Sequence, residues 1–388
     1  MPETIDVLII GSGPAGMSTA LHLVQADPAW AERLLVIDQA THPREKLCGG
    51  GLTRPGLTVL QRLGLSIPLP QIPIHELRVI LGAETYIFRE QTPLFWVIRR
   101  DEFDHWLVQC GRERGITVCE GEAVIDIQPK ANHLMVSTAR RPIRARVVVA
   151  ADGSRSFVRQ KLNWGRADRM ARLLEVLTPE PNSNQAAFAN GVAVFDFSAI
   201  EQGLQGYYWD FPSLIGGRPV MNRGIFDSRS QPARPRVNLK QLLGRSLAQR
   251  QRNLADYPLK GHPIFWFSHK NKLARPHLIL AGDAAGVDPM VGEGISFALG
   301  YGAVAAEAIR DAFADQNFSF ASYRQRVLSD PLLSELRIRR GLARLVYALN
   351  NRRLIWLVWR LGGPMMRLLK WLAPQSIPFQ PPVRVRDG

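Results

Sequence analysis

Cysteine is nearly absent from this 388-residue chain. Only Cys48, Cys110 and Cys119 occur, an odd number at unrelated spacings. That excludes a disulfide framework and points to a reducing compartment. Long apolar runs are missing too: no window approaches the roughly 18–20 uninterrupted apolar residues of a membrane span. No secretory leader is expected, because Met1-Pro2-Glu3-Thr4-Ile5-Asp6 runs straight into a strand-like segment. The eight histidines show no metal-ligand spacing, so no metal is expected, and no Ser/His/Asp arrangement follows from spacing. There is no internal repeat and no low-complexity stretch. These absences lead us to expect a cytoplasmic protein, soluble or peripheral on a membrane.

Apolar material is plentiful. Hydrophobic residues make up 46% and charged residues 21%, which excludes intrinsic disorder. The length suggests two or three domains at about 150 residues each. Acidic residues are in deficit, with 34 Asp and Glu against 49 Lys and Arg, a net charge of +15. Residues 331–388 carry eleven basic and two acidic side chains, +9 of that total. Such a concentration attracts an anionic partner.

The opening segment Ile5-Asp6-Val7-Leu8-Ile9-Ile10 reads as a buried parallel strand. Gly11-Ser12-Gly13-Pro14-Ala15-Gly16 follows at once, then a helical run from Met17 to about Gln25. Gly11 permits the tight turn, Gly13 admits a pyrophosphate, and Gly16 lets helix and strand pack closely. The phosphate would rest on the helix N-terminus, where unpaired N–H groups favour negative charge. A second strand, Leu34-Leu35-Val36-Ile37, ends in Asp38, placed to accept hydrogen bonds from a ribose. These features together signal a dinucleotide, without separating NAD from FAD.

Three later segments bear on that choice. Arg99-Arg100-Asp101-Glu102-Phe103-Asp104 opens a helix whose Phe103, Leu107 and Cys110 share a face. Val147 to Ala151 is an apolar strand ending in the turn Asp152-Gly153. His277 to Ala281 is another, followed by Gly282-Asp283, then Asp288-Pro289-Met290-Val291-Gly292-Glu293-Gly294-Ile295 and a small-residue helix from Ser296 to about Ala312.

With these motifs in order, the chain resembles the FAD-dependent oxidoreductases with the p-hydroxybenzoate hydroxylase fold, which also include flavin halogenases and geranylgeranyl reductases. The resemblance implies FAD as cofactor, with Arg100 against the flavin nucleotide, Asp152 at the Asp-Gly turn, and Asp283 holding the ribityl chain beside Gly282. It places Gly292, Gly294 and Ile295 near the cofactor as well. The segment Pro43-Arg44-Glu45-Lys46-Leu47-Cys48-Gly49-Gly50 is similar to the P-x-x-K-P-C-G-G loop of geranylgeranyl reductases, with Leu47 at the second proline. That similarity brings Lys46, Cys48 and Gly49 to the flavin. Tyr207-Tyr208-Trp209-Asp210-Phe211-Pro212 is similar to their Y-x-W-x-F-P segment, with Ser213 where lysine usually follows. It also resembles the W-x-W-x-I-P of halogenases, with one of the two tryptophans.

A glycine run such as Gly49-Gly50-Gly51 suits a loop passing close to a flat cofactor. Cys48 is read either as a thiol near the flavin or as a small buried filler; Cys110 and Cys119 are read as filler. Among many aromatics, Tyr207, Trp209 and Phe211 are expected to face a pocket suited to a long apolar substrate. Cys48, Tyr207 and Trp209 are the residues expected nearest the chemistry.

Residues 331–361 read as a helix with Leu333, Leu336, Leu342, Leu345, Val346 and Leu349 on one face. The run Leu354 to Trp359 sits between Arg352-Arg353 and Arg360, and Gly362-Gly363-Pro364 precedes a second short helix. Arginines beside Trp and Leu fit an interfacial helix on an anionic membrane. The alternative is a helix packed on the body with solvated arginines. No nucleic-acid module accompanies the charge, and no nucleic-acid partner is expected.

The expected fold is α/β: a Rossmann-like FAD-binding domain in three parts (1–75, 99–165 and 273–330), an inserted antiparallel β-sheet substrate domain (76–98 and 166–272), and a basic helical C-terminal segment (331–388). By resemblance, the expected activity is saturation of isoprenoid, geranylgeranyl-type double bonds, with NADPH or reduced ferredoxin as electron donor and a polyprenyl substrate. A flavin monooxygenase or halogenase, and a non-catalytic membrane-associated flavoprotein, are the alternatives.

Overall fold

The computed structural model describes residues 2–164, 169–181, 186–348 and 383–386. Its nucleotide-side sheet has a parallel core in the order Leu278–Leu280, Pro142–Ala150, Glu3–Ile10, Leu34–Ile37, Thr117–Cys119. These strands are continuous apolar runs because both faces are covered: Val7, Leu8, Ile9, Val147, Val148 and Val149 are fully buried. The hairpin Val124–Pro129/Leu134–Thr138 lies between Thr117–Cys119 and Pro142–Ala150 in the chain and pairs with the start of the latter.

Helix Pro14–Ala26 is buried along most of its circumference, from Pro14 through Leu21. Its partner is the long helix Ile295–Ala314. The two cross so closely that a Cβ on Gly302 would lie 2.4 Å from the Ser18 Cβ. Ser18 Oγ donates to the Leu299 carbonyl at 2.7 Å across the same contact.

The second sheet runs Lys260–Phe265, Met170–Pro179, Arg218–Asp227, Gly206–Ile215, Val192–Asp196, Glu76–Leu81, Glu84–Arg89, Val383–Arg386. It is the expected antiparallel layer with one exception, the parallel pair Val192–Asp196 and Glu76–Leu81. The chain traverses the nucleotide-side sheet between those two strands, so no hairpin dictates their direction. Along Gly206–Ile215 the side chains alternate. Tyr207, Trp209 and Phe211 join the main core, while Tyr208 packs with Leu243 and Leu247 of helix Leu239–Ala248 in a separate cluster. A third sheet has three strands, in the order Gly51–Thr53, Phe95–Ile98, Gln71–Ile74.

Beyond Pro331 the structure differs from the expected long helix. Asp330 Oδ1 accepts from the Leu332 and Leu333 backbone N–H at 3.0 and 2.8 Å, and the helix proper is Glu335–Ala348. Leu333, Leu336 and Val346 are buried as expected, whereas Leu345 is 51% exposed. Arg339 and Arg340 turn inward, which neither membrane contact nor a solvated face required of them. Leu349, the run Leu354 to Trp359 and the second short helix lie outside the described residues. Val383–Arg386 is a strand, not helix, pairing antiparallel with Glu84–Arg89.

Gly302→Val should lower stability by about 1–3 kcal/mol through overpacking at the helix crossing. Gly341→Ala, where nothing lies within 4 Å of the added carbon, should gain up to about 1 kcal/mol. Denaturant midpoints of the two variants check the contrast.

Candidate active site

The first strand ends at Gly11, whose φ of +104° and close approach to the Ala151 carbonyl (2.4 Å from an added Cβ) admit only glycine. The turn delivers the backbone to the start of helix Pro14–Ala26, which has no side-chain cap. Its unpaired N–H groups therefore face a cleft of about 470 Å³. Gly11, Gly13, Pro14, Ala15, Asp38, Lys46, Arg100, Asp152, Asp283, Gly294 and Ile295 all line this cleft. Gly16 and Gly282 do not. Their α-carbons are packed instead, an added Cβ lying 1.9 Å from the Gly11 carbonyl oxygen and 2.7 Å from the Ala15 Cβ respectively.

Asp38 is held rigid for its place in the cleft. Its Oδ2 accepts from Ser12 N and Oγ at 2.8 and 2.7 Å, and its Oδ1 from Ala40 N at 2.9 Å. Asp152 Oδ2 accepts from Val158 N at 3.1 Å, while its buried Oδ1 has no protein partner. An uncapped helix start beside Arg44 and an orphaned carboxylate oxygen fit the phosphates and hydroxyls of FAD.

The cleft leads into a second cavity, of about 180 Å³. Lys46, Arg100, His262, Asp283 and Gly294 line both. Lys46 Nζ lies 2.9 Å from His262 Nε2 and 3.8 Å from Asp283 Oδ2. Ser154 Oγ donates to Asp283 Oδ2 at 3.1 Å. Burial lowers the Lys46 pKa, and burial with Lys46 nearby pushes His262 down to about 4. Burial opposes the Asp283 charge, yet Lys46, His262 and Arg100 outweigh it and hold the acid below its ordinary range. Arg100 is locked by Asp104, its Nε and Nη2 both at 2.9 Å from the carboxylate.

Aromatic rings cluster along one part of the second cavity's wall. Tyr207, Trp209 and Phe211 line it, joined by Phe95, Phe195, Phe197 and Phe226. Tyr207 sits 4.9, 5.3 and 5.5 Å, centroid to centroid, from Phe195, Phe197 and Phe226. Cys48, Gly49 and Gly292 line this cavity and not the nucleotide cleft. The glycine run has a reason within the protein: a Cβ on Gly49 would stand 3.1 Å from the Phe211 ring, and one on Gly50 2.1 Å from the Ile98 carbonyl oxygen. Trp209 Nε1 donates to Asn222 Oδ1 at 2.9 Å, and Asn222 Nδ2 donates to the Cys48 carbonyl at 2.9 Å, tying wall to loop. The Tyr207 hydroxyl donates to the Val291 carbonyl, and burial raises its pKa far above the usual value.

Sequence reasoning missed His262, Phe195 and Phe197. The two phenylalanines were visible in the alternation of Val192–Asp196 and the residue after it; His262 sits in a strand with no motif around it. Glu175 was missed as well. It is buried, and burial pushes it up to about 7 against the pull of Arg99, Asn222 and the Cys48 N–H.

Fold and site together define a two-chambered flavoprotein, with a dinucleotide cleft opening into an aromatic cavity. The profile of the FAD binding domain family matches residues 4–302, and the chain belongs to that family. It is 28% identical over 325 residues to a menaquinone reductase of Mycolicibacterium smegmatis, covering 79% of this chain and 76% of the relative. It is 25% identical over 340 residues to a digeranylgeranylglycerophospholipid reductase of Thermoplasma volcanium, covering 82% and 81%. A geranylgeranyl bacteriochlorophyll reductase-like structure from Thermoplasma acidophilum shares the fold at TM-score 0.74 and 21% identity, covering 97% of each chain. A flavin-dependent brominase shares it at TM-score 0.71 and 19% identity, covering 95% and 93%. The chain is an FAD-dependent oxidoreductase.

Asp283→Ala should weaken FAD binding at least about tenfold, the cost of roughly one charge-assisted hydrogen bond, as read by flavin fluorescence titration. Glu175 generates a pH dependence. With its native pKa near 7 and its unfolded value near 4.5, the folded state holds the extra proton between them. Stability from this group is therefore full below about pH 4.5 and is lost as pH rises through 7. Glu175→Gln should gain on the wild type across that window, by up to about 3 kcal/mol, and keep a constant advantage above it.

Proposed function

We propose that the protein saturates carbon–carbon double bonds of an isoprenoid chain. The observation that carries this reading is the continuity of the nucleotide cleft with an apolar, aromatic-walled cavity through Lys46 and Asp283. The names of the menaquinone and digeranylgeranylglycerophospholipid reductases support it. Gly13, Asp38, Asp152 and Asp283 would hold FAD, which when bound and reduced supplies a hydride equivalent. The chain's own residues do the rest. Tyr207, Phe195 and Phe211 would seat an alkene against an apolar wall. An isolated alkene is a poor hydride acceptor, so proton delivery must lead or accompany the transfer, and exclusion of water keeps the developing charge under protein control. No second dinucleotide fingerprint is present in the sequence, so NADPH would dock transiently, and reduced ferredoxin remains the other donor.

A bilayer is the natural source of such a substrate. Helix Glu335–Ala348 has two faces suited to that supply. Val346, Tyr347 and Arg339 line the cavity, while Ile338 and Leu345 are 63% and 51% exposed beside exposed Arg337 and Arg344. An apolar stripe flanked by cations suits an anionic interface.

The brominase-like fold favours oxygen or halide chemistry as the second reading. One experiment separates them. The FAD-loaded protein is reduced with dithionite without oxygen and mixed with geranylgeranyl diphosphate, or with a geranylgeranyl lipid in anionic or uncharged vesicles. Flavin reoxidation with a product heavier by whole pairs of hydrogens is expected, faster from the anionic vesicles. A flavin that stays reduced until air enters, then yields an oxygenated or halogenated product, would replace this reading with the second.

A further inference from the structure

The turn Asp288 to Gly294 borders the aromatic cavity and is held by an arginine that reaches it from the C-terminal helix. Arg339 Nη1 lies 2.8 Å from Asp288 Oδ2 and 2.9 Å from Glu293 Oε2, and its Nε is 3.9 Å from Glu335 Oε2. All three partners of the central contact are interior: the side chains of Arg339, Asp288 and Glu293 are 2%, 0% and 7% exposed. Arg339 lies beyond residue 302, where the family profile ends, so this contact comes from the chain's own C-terminal helix.

One cation thus serves two buried carboxyls, and they are not equally provided for. Asp288 also accepts from the Met290 and Val291 backbone N–H at 2.8 and 3.3 Å, so donors reach both of its oxygens. Glu293 has the Thr53 hydroxyl, which donates to Oε1 at 2.6 Å. A hydroxyl can reverse its role and accept from a protonated carboxyl, so this environment accommodates a neutral Glu293. Burial pushes Glu293 up, against Arg339 and Thr53, and Asp288 adds to the rise.

Among the described residues lining the cavity, the carboxyls are Asp283 and Glu293. Asp283 faces Lys46, His262 and Arg100, which hold it ionised. The Tyr207 and Tyr347 hydroxyls donate to the Val291 and Met290 carbonyls, and burial raises both pKa values well above the ordinary phenol range, so both are weaker acids than a carboxyl. Among the described residues, Arg339 reaches the turn from the helix, with Glu335 beside its Nε.

We propose that Glu293 is the neutral acid of the cavity and supplies the proton in double-bond reduction, with Arg339 and Asp288 as its positioning residues. The proposal rests on the reductase reading for its substrate and on the Asp288–Arg339–Glu293 contact for its residue. In the balanced step, the π bond of the alkene is consumed. FAD, when bound and reduced, would supply the hydride equivalent for one C–H bond, and with it both electrons. The Glu293 O–H breaks, and its proton forms the C–H bond at the neighbouring carbon. The resulting carboxylate is paired with Arg339 and accepts from the Thr53 hydroxyl, which lies 2.8 Å from Ser296 Oγ.

The test has a spectroscopic arm and a kinetic arm, both on the FAD-loaded protein. Infrared difference spectra between neutral and alkaline pH should show a protonated-carboxyl C=O band that shifts in deuterium oxide. The band should vanish in Glu293→Gln and survive in Glu175→Gln. Absence of a band assignable to Glu293 overturns the proposal whatever the activity. In anaerobic single turnover with geranylgeranyl diphosphate, Glu293→Gln should slow reduction by about 10²–10⁴-fold with FAD affinity unchanged, and Glu293→Asp should recover part of the rate. Wild-type rates in Glu293→Gln would also overturn it. Should the wild type bring the band but reduce no prenyl substrate, the isoprenoid reading fails and the neutral acid stands.

Discussion

Two sheets of different character meet at one carboxylate. Asp283 leaves the end of the parallel strand Leu278–Leu280, Lys46 comes from the glycine-rich loop, and His262 from the antiparallel strand Lys260–Phe265. Each is largely removed from water, and a buried charge persists only with a partner. The Lys46–Asp283 pair, 3.8 Å apart with His262 at 2.9 Å from the same ammonium, supplies that partnership across the layers. Removing either charged member leaves the other uncompensated, so the glycine-rich loop and the nucleotide-side sheet are tied by electrostatics as well as by packing, and His262 brings the antiparallel sheet to the same ammonium.

The same logic recurs a few residues further on. Arg339 bridges the C-terminal helix to the turn after Asp283, and Tyr347 from that helix donates to the Met290 carbonyl at 2.7 Å. Ser228, just past strand Arg218–Asp227, adds a bond to the Pro289 carbonyl at 2.6 Å. The turn is therefore pinned from the tail helix on one side and the aromatic layer on the other. A helix whose inner face grips the turn while its outer face exposes Ile338 and Leu345 links the cavity to the surface through one rigid element.

Much of this was legible in the sequence, for local reasons. Gly11 to Gly16 with Asp38 is a short motif whose spacing is dictated by a strand–turn–helix. Tyr207, Trp209 and Phe211 follow from strand periodicity. What was not legible depends on distant pairings: Lys46 and His262 are separated by 216 positions, and Arg339 and Asp288 by 51. Charge counting also misled for the tail. A sum over 331–388 cannot distinguish a solvated arginine from Arg339, which is 2% exposed, because burial of a cation is decided by whether an acid waits in the core. The glycine run has a reason inside the protein as well, since the Phe211 ring and the Ile98 carbonyl exclude side chains at Gly49 and Gly50.

The account stands on the two chambers being one site. The most direct measurement is a crystal structure of the FAD-loaded protein with a fully saturated prenyl diphosphate. The account predicts the flavin ring at the junction beside Lys46 and Asp283, and the prenyl chain among Tyr207, Phe195 and Phe211. A prenyl chain bound elsewhere, with the aromatic cavity occupied by protein side chains or water, would contradict it.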